Sequence, residues 1–197
     1  MVVTLRESDH TYHDETGRVI PGVTSLLKPL FGFEWINEQV LERKSKLGTA
    51  VHFATELHDK GEDLTEYDFH IDTIPYIDAY MTFMNEVKPT WDGIEELVVN
   101  QKLGYAGTLD RRGVMYDKPT LLDIKCVAQV SPGAFVQDSA YLEAVCPGNT
   151  LDYKRFVLQL KPDGQYRLYE PKSTHREDFG VFVSCLTQFR WKERYAN

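Results

Sequence analysis

The sequence has few cysteines, and their spacing does not suit a metal or cluster site. The 197-residue chain has three cysteines, and Cys126, Cys146 and Cys185 form no Cys-x-x-Cys pair. A four-cysteine zinc or iron–sulfur site is therefore excluded, because each needs four closely spaced ligands. We interpret the three residues as free thiols in a reducing compartment.

Long apolar runs and a leader-like N-terminus are also missing. The apolar runs are far shorter than the roughly 20 residues of a membrane helix. The first residues include Glu7 and Asp9 rather than an apolar stretch. The chain has no Gly-x-x-x-x-Gly-Lys-[Ser/Thr] loop for a nucleotide. We therefore expect a cytoplasmic protein that binds neither a membrane nor a nucleotide cofactor.

An excess of positive charge is the third thing the sequence lacks. Its 30 acidic and 22 basic residues give a net charge of −8, whereas proteins that bind nucleic acid by charge alone are normally basic. The balance does permit an enzyme whose carboxylates hold metal ions against phosphate groups. With 42% hydrophobic residues and no repeat or linker, we expect a single domain over residues 1–197.

The pattern of apolar residues predicts helices on both sides of a group of strands. Helices are predicted over residues 35–59, as two helices joined or kinked near Leu47-Gly48, and over residues 75–87, 134–145 and 177–194. Strands are predicted over residues 94–100, 103–109, 112–116, 120–125, 155–161 and 165–170, with a turn at residues 111–113. A short hairpin between Tyr12 and Pro21 precedes them. This order predicts an α/β fold with helices flanking a mixed central β-sheet.

Charged residues lie at the ends of two predicted strands. Asp110 ends one strand, and Asp123 and Lys125 share a face of another because side chains alternate along a strand. Buried charges are costly unless they are paired, solvated or bound to a metal. Two carboxylates suit Mg²⁺ or Mn²⁺, which prefer oxygen ligands. On these residues alone, an ordinary Asp–Lys ion pair on a solvated face is the simpler interpretation.

Asp110, followed thirteen residues later by Asp123-Ile124-Lys125, resembles the PD-(D/E)xK signature of a nuclease superfamily. The chain is most similar to the RecB-like exonuclease branch, which includes phage-type and mitochondrial single-strand exonucleases. Further pieces occur in the order of that branch over nearly the whole chain. They are a Gly-x-x-x-His at Gly48 and His52, a strand-opening glutamate at Glu95 or its neighbour Glu96, and a Gln-x-x-x-Tyr at Gln137 and Tyr141.

The resemblance implies a restriction-endonuclease-like core and a phosphodiester hydrolase that uses Mg²⁺ or Mn²⁺. It implies a phage-encoded exonuclease of replication, recombination or repair that acts on linear single- or double-stranded DNA. A strand-annealing or single-strand-binding protein is the partner expected of that family. Two alternatives stay open: a structure-selective endonuclease on the same core, and a non-catalytic DNA-binding subunit. No iron–sulfur cluster is expected, because the three cysteines are scattered.

The resemblance also implies roles for individual residues. The metal ligands are His52, Asp110, Asp123 and the carbonyl of Ile124, and Glu95 completes the site or supports a second ion. Lys125 positions or deprotonates the attacking water or neutralises developing charge, so Lys125, Asp110, Asp123 and Glu95 are the catalytic set. Gln137, Tyr141 and Arg111 are expected to contact DNA phosphates, and orienting Lys125 is the alternative role for Gln137 and Tyr141. Without the resemblance, His52 is an ordinary core or surface histidine and Tyr141 a core aromatic.

Overall fold

Two β-sheets organise the part of the chain that the computed structural model describes, which is residues 2–6, 9–31, 38–150 and 152–195. The smaller sheet is antiparallel, with strands β1 (Val3–Arg6), β2 (Thr11–Asp14) and β3 (Val19–Ile20) in that order. The predicted hairpin between Tyr12 and Pro21 is confirmed, and β1 adds a third strand that was not predicted. The Ala106 N–H donates to the Pro21 carbonyl at 3.1 Å and so connects this sheet to the larger one.

The larger sheet has five strands in sequential order. They are β4 (Thr90–Asn100), β5 (Tyr105–Met115), β6 (Lys118–Lys125), β7 (Lys154–Leu160) and β8 (Tyr166–Tyr169). Neighbouring strands are antiparallel except β6 and β7, which are parallel. A parallel pair needs a crossover connection, usually a helix. The sheet is therefore mixed, as predicted.

The predicted turn at residues 111–113 is wrong, because these residues lie inside β5. Arg111 pairs with Ile94 on one side and with Leu122 on the other. The chain turns instead at Tyr116 and Asp117, whose φ angles of 51° and 58° suit a two-residue hairpin. Two adjacent arginines indicated an exposed turn, but the first of them is fully buried.

Six α-helices and a 3₁₀ turn, Leu64–Glu66, complete the described residues. The predicted helices over residues 75–87, 134–145 and 177–194 are confirmed within two residues. One helix runs through Leu47 and Gly48, so the predicted alternative of two helices joined there is wrong; residues 35–37 of that prediction lie outside the described residues. The helices are α1 (Val23–Leu26), α2 (Lys28–Phe31), α3 (Glu38–Asp59), α4 (Ile74–Val87), α5 (Gly133–Val145) and α6 (His175–Tyr195).

The hydrophobic core lies on both faces of the larger sheet, and β6 contributes to each face in turn. Leu121 packs in a cluster with residues of α1, α5 and α6. Leu122 and Ile124 pack in a second cluster with residues of α3 and α4. The α/β class, with a mixed central sheet flanked by helices, is confirmed. Because of the alternation, Asp123 and Lys125 belong to the α5 face of the sheet.

The structure offers no candidate for a membrane span among the described helices, since none of them is both long enough and apolar enough.

Candidate active site

The structure brings three of the predicted site residues together from three different elements. His52 on α3, Glu95 on β4 and Asp110 on β5 each offer one ligand atom, and these atoms lie within 4.8 Å of one another. The Nδ1 atom of His52 is 3.3 Å from Glu95 Oε1 and 3.8 Å from Asp110 Oδ1. Two carboxylates and one imidazole form a donor set that suits a divalent cation such as Mn²⁺ or Mg²⁺.

Glu95 has an unusual backbone conformation for a residue inside a strand. Its φ of 46° lies in the left-handed region, which costs a non-glycine residue on the order of 1–3 kcal/mol. Its carboxylate contacts the imidazole of His52 and accepts a hydrogen bond from Arg111 Nη1 at 3.1 Å. The neighbouring Glu96 instead accepts a hydrogen bond from Arg112 Nε at 3.0 Å. Of the two candidate glutamates, Glu95 is therefore the one beside the histidine.

The backbone of Ile124 connects Asp110 to His52. Its N–H donates to Asp110 Oδ2 at 2.6 Å, and its carbonyl accepts from His52 Nε2 at 3.1 Å. The Ile124 backbone therefore holds the carboxylate of Asp110 and the ring of His52 at one point of β6. The Ile124 carbonyl is hydrogen-bonded to Nε2, whereas Glu95 and Asp110 lie at the other ring nitrogen, Nδ1.

The carboxylates around His52 favour its protonated form. Burial by itself lowers the pKa of His52, but the charges of Asp110 and Glu95 outweigh burial and raise the pKa to about 9. The protonated ring donates to the Ile124 carbonyl and to Glu95. Since a metal binds only the deprotonated nitrogen, it would compete with this proton.

Asp123 and Lys125 lie on the other side of the Ile124 backbone. Lys125 Nζ donates to Asp123 Oδ1 at 2.6 Å. The side chain of Asp123 is 1% exposed, and its Oδ2 has no hydrogen-bond partner among the described residues. Burial raises the pKa of Asp123 to about 6, although Lys125 opposes the shift. An unpartnered buried carboxylate oxygen is an atom that a bound cation would satisfy, but Asp123 is not among the residues whose ligand atoms lie together. The fit to a metal rests on the donor set of His52, Glu95 and Asp110.

Gln137 and Tyr141 lie one turn apart on α5 and form a polar network with Lys125. Gln137 accepts from Lys125 Nζ at 3.4 Å and donates to the Tyr141 hydroxyl at 2.8 Å. The ring of Tyr141 packs so closely on Gly107 that a Cβ there would lie 2.4 Å from it. Only glycine fits this position of β5. The network holds the lysine from the α5 side.

Arg111 is buried, and this corrects the expectation that it contacts DNA phosphates. Its side chain is 0% exposed and is ion-paired with Asp59 and Glu95. It also donates to Thr55 Oγ1 at 3.0 Å and to the Asp110 carbonyl at 2.7 Å. The enclosed guanidinium is not available to a phosphate. It joins α3 to β5 instead and holds the carboxylate of Glu95.

Asp138 is a buried acidic residue near the site that the sequence analysis missed. It is 0% exposed, and neither of its carboxylate oxygens has a hydrogen-bond partner among the described residues. Burial, and then the charge of Asp123, raises the pKa of Asp138 well above its usual value. Nearly all of α5 from Gly133 to Leu142 is buried. The sequence pattern of α5 therefore shows no polar face that would have distinguished Asp138 from the core positions around it.

A cavity of about 740 Å³ opens onto the group of His52, Glu95 and Asp110. Its volume is within the usual range for small-ligand sites. Predicted residues in its lining are His52, Glu95, Asp110, Lys125, Gln137 and Tyr141. Thr24, His10 and Phe53 also line it, although the sequence analysis gave them no role in the site.

Comparison with known proteins finds distant structural similarity and no sequence match. No family model and no curated protein matches the chain. The alkaline exonuclease LHK-Exo from Laribacter hongkongensis is similar over 73% of this chain and 83% of its own, with 15% identity and a TM-score of 0.37. LHK-Exo in complex with dAMP is similar over 90% of this chain and 93% of its own, with 14% identity and a TM-score of 0.38. Similarity at this level identifies no function, so the chain's own geometry has to carry that conclusion.

Proposed function

We propose that the chain is a divalent-metal-dependent deoxyribonuclease of the PD-(D/E)xK type, with a RecB-like arrangement in one domain. The observation that carries the proposal is the grouping of His52, Glu95 and Asp110 within 4.8 Å. Lys125 lines the same cavity. A module that only binds DNA has no need for three metal-ligating side chains and a lysine around one cavity. Hydrolysis is therefore favoured over the non-catalytic alternative.

The residues that would hold the cation are His52, Glu95, Asp110, Asp123 and the carbonyl of Ile124. A bound Mg²⁺ or Mn²⁺ supplies polarisation of a phosphoryl oxygen and a lower pKa for the attacking water. The imidazole nitrogen makes the donor set less suited to Mg²⁺, which prefers oxygen ligands throughout. We therefore expect tighter binding of Mn²⁺ than of Mg²⁺.

Lys125 places a positive charge beside the proposed metal site. Burial by itself lowers the pKa of Lys125, but Asp123 and Asp110 raise it above its usual value. A lysine that stays protonated does not act as a general base. Its proposed role is to orient the attacking water and to stabilise charge on the phosphate in the transition state. Asp123 and Gln137 fix its ammonium group by hydrogen bonds.

We also propose linear DNA as the substrate, and an exonucleolytic mode in replication, recombination or repair. The cavity of about 740 Å³ is the size of a site for a small ligand, which supports a strand end better than a length of duplex. Gln137 and Tyr141 also line it, but both are buried. Their hydrogen bonds support the alternative role expected for them, the positioning of Lys125. A phage origin and a strand-annealing or single-strand-binding partner follow from the family resemblance alone.

Digestion of labelled DNA tests the proposal. End-labelled linear single- and double-stranded DNA and closed circles are incubated with Mg²⁺, Mn²⁺ or a chelator. The wild type is compared with Asp110→Asn and with the matched control Asp117→Asn, which lies in the exposed turn after β5. We expect metal-dependent loss of linear DNA that Asp110→Asn abolishes and Asp117→Asn leaves unchanged. Nicked circles would indicate an endonuclease, and binding without cleavage would indicate a DNA-binding subunit.

A further inference from the structure

Three aromatic side chains form a row at the surface, which we call the aromatic row: Phe53, Tyr67 and Phe69. The ring of Phe53 meets Tyr67 edge-on, with centroids 5.8 Å apart and an interplanar angle of 79°. Tyr67 stacks on Phe69 at 6.0 Å and 28°. Phe53 is 45% exposed and Tyr67 is 36% exposed. Large aromatic side chains usually fill cores, so a contiguous exposed group of them indicates a binding surface.

Phe53 connects the aromatic row to the proposed active site. It directly follows His52 in α3, and both side chains line the same cavity. Glu56, three residues further on and on the same side of the helix, also lines the cavity, and its carboxylate is paired with Lys60. The pairing reduces the repulsion that Glu56 would exert on a phosphate. An exposed flat ring is thus placed beside the metal-ligating group.

We propose, on the basis of the proposed nuclease function, that Phe53 stacks on an unpaired base of the nucleotide next to the scissile phosphate. Aromatic side chains bind bases without sequence preference, because every base has a π face. Inside a duplex both faces of a base are covered by its neighbours. Phe53 therefore selects unpaired nucleotides. Tyr67, which is itself stacked on Phe69, packs edge-on against the Phe53 ring and holds it in place.

Binding measurements test the stacking contact without cleavage. Fluorescence anisotropy of a labelled single-stranded oligonucleotide is measured with Lys125→Ala protein and with the same protein carrying Phe53→Ala, Phe53→Leu or Phe53→Trp. We expect Phe53→Ala to weaken binding by about 5- to 150-fold, Phe53→Leu to behave similarly and Phe53→Trp to bind at least as tightly. Trp191→Ala is the matched control, because Trp191 is 61% exposed and does not line the cavity.

Removal of single bases identifies the contact. A single abasic residue is placed at successive positions along the strand end. At one position it should weaken binding to the Lys125→Ala protein that retains Phe53, by a factor similar to that of Phe53→Ala. At the same position it should not weaken binding to the Phe53→Ala protein any further. If the abasic residue weakens binding equally in both proteins, the proposal is overturned. It is also overturned if Phe53→Leu binds DNA normally and the weaker binding of Phe53→Ala is accounted for by a lower melting temperature that Phe53→Leu does not show.

The failure of this inference differs from the failure of the proposed function. If wild-type protein digests DNA and Phe53→Ala binds and digests it equally well, stacking is wrong and the nuclease function stands. If the wild-type protein neither binds nor digests any DNA with either metal, the nuclease function fails and the stacking role fails with it.

Discussion

Two buried groups of charged residues lie on opposite faces of the larger sheet, and they differ in how well they are hydrogen-bonded. On the α3 side, Arg111 donates to the side chains of Asp59, Glu95 and Thr55. Tyr80 and His58 also contact the Asp59 carboxylate. On the α5 side, Asp123 and Asp138 are equally buried, but three of their carboxylate oxygens have no partner among the described residues.

The difference separates a structural role from a functional one. A buried charge that is fully paired costs little further free energy and fixes the elements it joins. An unpaired buried carboxylate costs several kcal/mol or becomes neutral, so it persists where a ligand or a reaction requires it. We infer that the Arg111 group positions α3, and hence His52, whereas the Asp123 group belongs to the chemistry.

The largest expected effect is on the stability of the α3 side. Arg111→Met leaves the carboxylate of Asp59 buried without its cation, so we expect a loss of about 3–5 kcal/mol in the free energy of unfolding. Urea denaturation followed by circular dichroism measures it. Arg112→Met is the control, because its ion pairs with Glu96 and Asp92 are partly exposed and should cost about 1 kcal/mol or less. Equal losses for both variants would contradict the structural role of Arg111.

On the α5 side, the main expected effect is on rate. Burial already raises the pKa of Asp123 to about 6, so this carboxyl can take up a proton when Lys125 is removed, which limits the loss of stability. Lys125→Ala removes the charge that we propose stabilises the transition state, so we expect kcat to fall about 100- to 1,000-fold, or about 3–4 kcal/mol in activation free energy. DNA binding should change much less. Lys118→Ala, at the exposed start of the same strand, is the control and should keep wild-type kcat. If a lower melting temperature accounts for the lost activity, Lys125 has a structural role like that of Arg111.

Metal binding should stabilise the protein by an intermediate amount. At a Mn²⁺ concentration of about 100 times its Kd, the gain in unfolding free energy is about 2.7 kcal/mol. Thermal unfolding with and without Mn²⁺ measures the gain, and Asp110→Asn should remove most of it. If Asp110→Asn keeps the full gain, the cation binds elsewhere.

The gain from Mn²⁺ should also depend on pH. The neighbouring carboxylates raise the pKa of His52 to about 9, above the value of about 6.5 in an unfolded chain. In the metal-free protein, the protonated ring therefore stabilises the fold below about pH 6.5, and this contribution is lost as pH rises towards 9. Because Mn²⁺ competes with the same proton, its stabilising effect should increase over that interval. A pH-independent gain between pH 6.5 and 9 would mean that His52 is not a ligand.

The sequence predicted the elements better than it predicted the burial of individual charges. The resemblance to the nuclease signature pointed to His52, Asp110 and Lys125, and all three line one cavity. Strand alternation by itself predicted only that Asp123 and Lys125 share a face. The sequence analysis misjudged Arg111, since two adjacent arginines resemble an exposed turn and the buried partner, Asp59, lies 52 residues away. It missed Asp138 because a helix buried nearly all round has no polar face to reveal an exception.

The smallest expected effect comes from an exposed ion pair on the same helix as Asp59. Glu42 and Lys46 form an i,i+4 pair at 2.8 Å, with side chains 63% and 76% exposed. Because water screens this pair, we expect Glu42→Gln to leave the unfolding free energy close to the wild-type value. Asp59→Asn, at the other end of α3, weakens the buried pair with Arg111 and should cost several times more in the same urea titration. If the two variants cost the same, burial does not distinguish the charges of this helix, and the assignment of the Arg111 group to the scaffold would be wrong.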